Sequence, residues 1–219
     1  MVTTRQQYSN ELESLRQEIS RMGMLVRKAT EDAVNSLANK DEALAQKVLI
    51  GDDVIDDLET EIEDKCMILI ARQQPLAKDL RIIGTGLKII TDLERVGDHA
   101  FDIARIALRI GDQPLLKPLV DIPRMAELAE KMLSDSLEAY LNMDITLAQR
   151  VCLADDAVDD INQQIFRELL TYMMEDPRTI GRAMDLIFVA RYLERIADHA
   201  TNIAEWIIYL ETGQRLRKK

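Results

Sequence analysis

The chain has 219 residues, of which 47% are hydrophobic and only 4% aromatic, and its formal net charge is −11. This charge argues against nucleic acid as a main partner, because phosphate contacts need a basic surface. Helix-forming residues dominate and alternating strand patterns are rare, which argues against an all-β fold. The polar N-terminal stretch has no signal region, and no apolar run reaches the ~20 residues that span a bilayer. We therefore expect a cytoplasmic protein without a transmembrane segment.

Three long helices are expected in the first half of the chain. The pattern of apolar residues predicts helices over 7–38, 42–72 and 77–110. Asp41 follows the end of the first helix, and its side chain is expected to cap the second. Pro75 separates the second helix from the third, because proline cannot continue a helix interior.

The same pattern returns after a segment with two prolines and a glycine, 111–121. Helices are predicted there over 122–141, 144–174 and 178–211, and Asp144 is the expected cap of the middle one. Helices of ~30 residues joined by short turns pack side by side, which favours a helical bundle in each half.

The two halves also share sequence. LERVGDHA at 93–100 matches LERIADHA at 193–200 at six of eight positions. A period near 100 residues is too long for a solenoid repeat and has the size of a small domain. We predict an all-α fold of two tandem, pseudo-symmetric three-helix bundles, with the first repeat at 1–110, a linker at 111–121 and the second repeat at 122–219.

Acidic residues recur in both repeats at a spacing that places them along one side of a helix. The third and sixth helices each carry a row at i, i+4 and i+8: Glu94, Asp98 and Asp102, then Glu194, Asp198 and Asn202. The second and fifth helices carry aspartate pairs with the same spacing: Asp52 and Asp56, then Asp155 and Asp159. Asp53 and Asp156 stand directly beside these pairs.

These rows point away from the apolar stripes, so they are expected to meet in the groove between neighbouring helices. Gathered carboxylates repel one another unless a cation joins them, and hard oxygen ligands suit iron, manganese, magnesium or calcium. His99 and His199 follow the last motif aspartate and are candidates either for a ligand or for a group that holds a ligand carboxylate. Asp53 and Asp156 are candidates for the same two roles. The alternative is a solvated acidic face with salt bridges from Arg95 or Arg105.

The pairing of DLERVGDHAFDIA with YLERIADHATNIAEW, together with RQQPLAKDLR and LLTYMMEDPR, resembles the PhoU family of phosphate-uptake regulators over essentially the whole chain. The resemblance implies that the motifs bind multinuclear metal clusters on the bundle surface. Iron is the first expectation, followed by manganese, magnesium or zinc. The motifs carried over are Asp52/Asp56, Glu94/Asp98, Asp155/Asp159 and Glu194/Asp198.

The resemblance also implies a function without catalysis. It indicates a cytosolic homodimer that couples the ATPase subunit of the phosphate ABC transporter to a phosphate-sensing histidine kinase. Such a protein negatively regulates the phosphate-starvation response when phosphate is ample.

Two other function classes stay open. A di-iron carboxylate oxidase normally uses Glu-x-x-His motifs that project into a bundle core, whereas His99 lies five residues after Glu94. A helical scaffold without metal is the second alternative, and metal analysis of the purified protein separates it from the metal-binding regulator.

The two repeats also differ at one row position. Because Asp102 supplies a charged, bridging oxygen and Asn202 a neutral one, we expect the first repeat to hold metal more tightly.

Overall fold

The computed structural model describes the backbone of residues 4–215 and the side chains of 6–215, and this part of the chain consists of helices without a strand. The expected repeat ends at residues 1 and 219 lie outside the described residues. Six α-helices follow in chain order: α1 Thr4–Asn39, α2 Glu42–Gln73, α3 Lys78–Ile110, α4 Asp121–Asn142, α5 Ile145–Glu175 and α6 Ile180–Thr212, the last preceded by a 3₁₀ turn at Pro177–Thr179.

The all-α class with two pseudo-symmetric three-helix bundles is confirmed, and each helix begins and ends within three residues of its predicted position. Local chemistry explains this agreement. Asp41 Oδ1 accepts a hydrogen bond from the backbone N–H of Leu44 at 2.9 Å, and Asp144 Oδ1 accepts one from Leu147 at 3.0 Å. Both predicted caps therefore satisfy N–H groups that the first helical turn leaves without a partner.

The two bundles share one hydrophobic core. α1, α2 and α3 pack on one another, as do α4, α5 and α6, and the bundles meet where α3 packs against α6 and α1 packs against α4. Buried apolar residues of all six helices form a single continuous cluster. Within residues 4–215, every helix lacks the long apolar stretch that crossing a membrane requires.

The central helices α3 and α6 run antiparallel along their full length. Lys78 Nζ lies 3.1 Å from Glu211 Oε1 at one end, and Arg109 pairs with Asp185 towards the other. Near the midpoint, the His99 and His199 rings lie 5.7 Å apart between their centroids. Since these two histidines occupy equivalent positions of the repeats, the pseudo-twofold relation between the bundles centres on this contact.

Shared packing predicts that damage to either bundle destabilises the whole chain. Leu93 and Leu193 are equivalent, fully buried residues of α3 and α6. Leu93→Ala and Leu193→Ala should each lower the free energy of unfolding by about 2–5 kcal/mol, because each leaves a cavity in the core. Urea unfolding followed by circular dichroism should show one transition in both variants. Leu153→Ala, at a side chain 77% exposed, is the control with little effect. Two separate transitions would contradict a shared core.

Candidate metal-binding grooves

The carboxylates of the first repeat meet in the groove between α2 and α3. Burial, followed by the charges of Asp56 and Asp98, raises the pKa of Asp52 to about 6. Burial also raises the pKa of Glu94 to about 7, with Asp98 as the next cause. The pKa of Asp56 rises through burial and through Asp98. Aspartates of α2 and acidic residues of α3 therefore face each other closely enough to oppose one another's ionisation.

Close helix packing places these carboxylates together. Gly97 of α3 lies so near to α2 that an added Cβ would stand 3.3 Å from Ile55 and 3.5 Å from Asp52 Oδ1. In the second repeat the equivalent residues are Ala197 and Val158, both fully buried. The first repeat pairs Ile55 with Gly97, whereas the second pairs the smaller Val158 with the larger Ala197. The total side-chain volume at this helix contact is therefore the same in both repeats.

The groove between α5 and α6 repeats this arrangement. Burial raises the pKa of Asp159, and the charge of Asp198 across the groove raises it further. The pKa of Glu194 is raised by burial, although Arg191 opposes that rise. Asp155 is half-buried at the position equivalent to Asp52. The structure therefore places both sets of predicted carboxylates in corresponding grooves.

Asp53 and Asp156 lie on the exposed side of their helices. They act on the grooves through charge, since Asp53 contributes to the raised pKa of Asp52 and Asp156 to that of Asp159. Each adds negative potential at the groove edge.

Arginines of α3 and α6 neutralise part of this charge. Arg95 Nη1 lies 2.8 Å from Asp98 Oδ2, and its Nε lies 3.3 Å from Glu94 Oε2. In the second repeat, Arg191 Nη1 lies 2.6 Å from both Glu194 carboxylate oxygens. Further pairs follow the same i,i+3 spacing: Arg105 with Asp102 at 2.6 Å and Arg195 with Asp198 at 3.3 Å. The expected salt bridges are therefore present.

The donor chemistry of the grooves fits a hard metal ion. Crowded carboxylates with raised pKa values are stabilised by a cation, and their oxygens are the ligands that such ions prefer. Within the described part of the chain, however, no three His, Cys, Asp or Glu side chains form a group that could hold a metal ion. Binding thus requires the groove carboxylates to move closer together, and Glu94, Asp98 and Glu194 would leave their arginines to do so. The arginines of these pairs are between 45% and 64% exposed, so water screens their charge and weakens the pairs.

The last residue of each acidic row lies where α3 meets α6, a contact that we call the α3–α6 seam. Its polar residues are Asp92, His99, Asp102, Tyr192, His199 and Asn202. Asn202 Nδ2 donates to Asp92 Oδ1 at 3.3 Å, and the Nδ1 atom of His199 lies 2.9 Å from the same oxygen. At the pseudo-symmetric position, Tyr192 hydrogen bonds to Asp102, which with burial raises the tyrosine pKa. Asp102 also contributes to the raised pKa of Asp52, so it borders both the seam and the groove.

The candidate histidines both lie in the seam. The His99 ring packs 5.6 Å from Tyr192 and 5.7 Å from His199, measured between centroids. Burial, followed by the neighbouring His199, lowers the pKa of His99 to about 4, so this ring is neutral at physiological pH. Its Nδ1 atom is buried without a hydrogen-bond partner among the described residues. His199 pairs with Asp92 rather than with a motif carboxylate.

Three residues of this region were not predicted. Glu59 extends the first groove, and its pKa is raised by burial and by nearby carboxylates. Its position three residues after Asp56 was an available signal, since such residues share a helix face. Asp92 and Tyr192 had no such signal, because they occupy equivalent positions with unlike side chains.

Glu94 gives a prediction about pH. Its pKa in the folded protein is about 7, above its ordinary 4.5, so the folded state holds this proton more tightly than the unfolded state. In metal-free protein this group therefore lowers the free energy of unfolding as the pH rises from 4.5 to about 7. Glu94→Gln should raise that free energy by about 1–2 kcal/mol near pH 8 and change it little near pH 4.

Urea unfolding in the presence of a chelator measures this effect. Glu61→Gln, at an exposed position of α2, is the matched control. Equal effects of Glu94→Gln at both pH values would contradict the crowded groove.

The sequence was compared with known proteins. Residues 19–107 and 122–207 each match the model of the PhoU domain. A phosphate-specific transport system accessory protein PhoU homolog from Clostridium acetobutylicum is 42% identical over 97% of this chain and 98% of its own length. The phosphate-specific transport system accessory protein PhoU of Escherichia coli is 40% identical over 96% of this chain and 88% of its own length.

Solved structures are similar in fold over nearly the same span. The crystal structure of PhoU from Pseudomonas aeruginosa has a TM-score of 0.91 at 42% identity, covering 94% of this chain and 100% of that one. The phosphate transport system regulatory protein PhoU from Streptococcus pneumoniae has a TM-score of 0.90 at 29% identity, covering 96% and 100%. Because the domain model matches both repeats and the relatives span almost the whole chain, this chain belongs to the PhoU family.

Proposed function

We propose that this chain is a cytoplasmic regulator of phosphate uptake. It acts as an adaptor between the ATPase subunit of the phosphate ABC transporter and a phosphate-sensing histidine kinase, and it restrains the phosphate-starvation response when phosphate is ample. The observation that carries this proposal is the similarity, over nearly the full length, to accessory proteins of phosphate-specific transport systems.

The adaptor works by binding proteins and needs no catalytic residue. A net charge of −11 favours association with basic surfaces of its partners, and such association weakens as salt is added. We propose that the protein acts as a homodimer.

We further propose that both grooves hold metal clusters, with iron as the first choice and manganese, magnesium or zinc after it. The proposal is supported by facing carboxylates whose pKa values burial and like charge raise. The proposed ligands are Asp52, Asp56, Glu94, Asp98 and Asp102 in the first repeat, and Asp155, Asp159, Glu194, Asp198 and Asn202 in the second.

The first groove should bind metal more tightly than the second. Asp102 adds an anionic oxygen there, while Asn202 offers a neutral one. Glu59 adds a further carboxylate beside Asp56, where the second repeat has Asn162. Each added anion offsets more of the charge of a multivalent cation.

Deletion of the gene tests the regulatory role. We expect the deletion strain to express phosphate-starvation genes in high-phosphate medium, because the restraint on the kinase is lost. Transcript levels measure the response, and a plasmid copy of the wild-type gene is the control that should restore repression. Unchanged expression in the deletion strain would count against a regulatory role.

Metal content tests the difference between the grooves. Asp102→Asn should lower the amount of metal bound per chain, because the first groove loses one anionic ligand. The first groove should then hold about as much metal as the second. Asn202→Asp should raise it. Elemental analysis after identical chelator washing measures both. Metal content that neither substitution changes would show that positions 102 and 202 are not ligands, and an absence of metal from wild-type protein would favour the metal-free scaffold.

One hydrogen bond requires a matched variant. An aspartate at position 202 would face the Asp92 carboxylate, to which the amide of Asn202 now donates. Combining Asn202→Asp with Asp92→Asn exchanges acceptor and donor: the new amide nitrogen at position 92 donates to the new carboxylate, and its amide oxygen stays available to His199. The double variant should gain metal without the loss of stability expected for the single variant.

A further inference from the structure

Two rows of exposed apolar side chains lie on α5 and α6, in the parts of these helices beyond the groove carboxylates. Each row has i, i+4 and i+8 spacing, which aligns its side chains along one face of its helix. Exposure of these six side chains ranges from 37% to 77%. We call this surface the apolar strip, and its members are Phe166, Leu170 and Met174 on α5 and Ile180, Met184 and Phe188 on α6.

The aromatic end of the strip has a concave shape. Phe166 and Phe188 line a cavity of about 400 Å³, together with Ile187 between them and the cationic side chains of Arg167 and Arg191. Arg191 is already paired with Glu194, so Arg167 supplies the basic edge of this apolar surface in a chain of net charge −11. Such a combination suits a ligand that is apolar on one side and carries carboxylates beside it.

The first repeat shows that the two phenylalanines of the strip are not required for folding. The equivalent residues are Glu63, Met67 and Ala71 on α2 and Leu80, Gly84 and Lys88 on α3. Charged side chains thus replace both phenylalanines on the same helical scaffold. Met67 and Leu80 of the first repeat are also exposed, at 55% and 45%, so the two phenylalanines are what distinguishes the second repeat. A contiguous exposed apolar patch that packing does not need marks an interaction site.

The size of the strip decides between occupants. Six side chains at these exposures present on the order of 500 Å² of apolar surface. A stable dimer interface buries about 800 Å² on each partner, so the strip is too small to be a complete dimer face. A single amphipathic helix lying along a two-helix groove, with anchors at i, i+4 and i+8, matches its length and shape.

We propose that the apolar strip docks an amphipathic helix of a partner protein, whose acidic residues lie beside Arg167. This inference rests on the proposed adaptor function, because it assigns a surface on which a protein partner binds. The α5–α6 groove would then place the acidic motif of the second repeat directly next to a docked partner.

The substitutions that test this proposal come from the first repeat. Phe166→Glu combined with Phe188→Lys introduces the residues that occupy the equivalent positions of α2 and α3, so the fold should tolerate them. Leu153→Glu is the matched control, because that side chain is 77% exposed on α5 outside the strip. Circular dichroism melting curves should be the same for wild type and both variants.

The probe is a fluorescein-labelled helical peptide of ~14 residues, with leucines at i, i+4 and i+8 and glutamates beside them. Fluorescence anisotropy should show binding to wild type and to Leu153→Glu, and binding at least about tenfold weaker to the double variant, because two aromatic anchors are lost. Arg167→Glu should weaken binding of this peptide and strengthen binding of a version with lysines in place of the glutamates.

Other outcomes overturn the proposal. It fails if wild type does not bind the peptide, or if the double variant binds it equally well. It also fails if the double substitution only converts a dimer into a monomer in sedimentation, or only abolishes binding to anionic lipid vesicles. The purified transporter ATPase subunit separates the two proposals. If wild type and the double variant bind that subunit equally, the strip is not the docking surface, whereas peptide binding without ATPase binding would contradict the adaptor function alone.

Discussion

The antiparallel packing of α3 against α6 is the contact on which the other features of this molecule depend. These two helices join the bundles into one core and also carry the acidic rows of both repeats. Their register is set by end-to-end ion pairs and by the polar residues of the α3–α6 seam. One side of α3 and one side of α6 lie in the seam. The adjoining acidic side of α3 therefore faces α2, that of α6 faces α5, and the grooves form there.

Duplication produced two grooves on the same scaffold, and the grooves have diverged. The exchange of a methyl group between Gly97/Ile55 and Ala197/Val158 shows that close helix packing was retained in both. Outside this contact the chemistry differs. The first groove continues its carboxylates to Glu59 and Glu63, whereas the second changes to an apolar surface at Phe166. One fold thus supports a more acidic groove in one repeat and an apolar strip in the other.

Much of this fold could be predicted from local signals. Asp41, Asp144 and Pro75 act within a few residues of their own position, so the helix bounds followed directly from the sequence. The groove carboxylates followed from helical spacing. The seam could not be predicted, because the contact between Asp92 and His199 depends on how two bundles dock, which no periodicity encodes. The apolar strip could be predicted from the i, i+4 and i+8 spacing of Phe166, Leu170 and Met174. The sign that it differs from the first repeat is the replacement of Glu63 by Phe166, which a search for matching residues passes over.

The metal site that we propose lies between the carboxylates of α2 and α3. Anomalous diffraction at the iron absorption edge, from crystals of protein purified without chelator, tests this claim most directly. We expect an anomalous peak in the groove beside Asp52 and Asp98, stronger than the corresponding peak beside Asp155 and Asp198. Protein with no peak in either groove at the iron, manganese or zinc edge would contradict it.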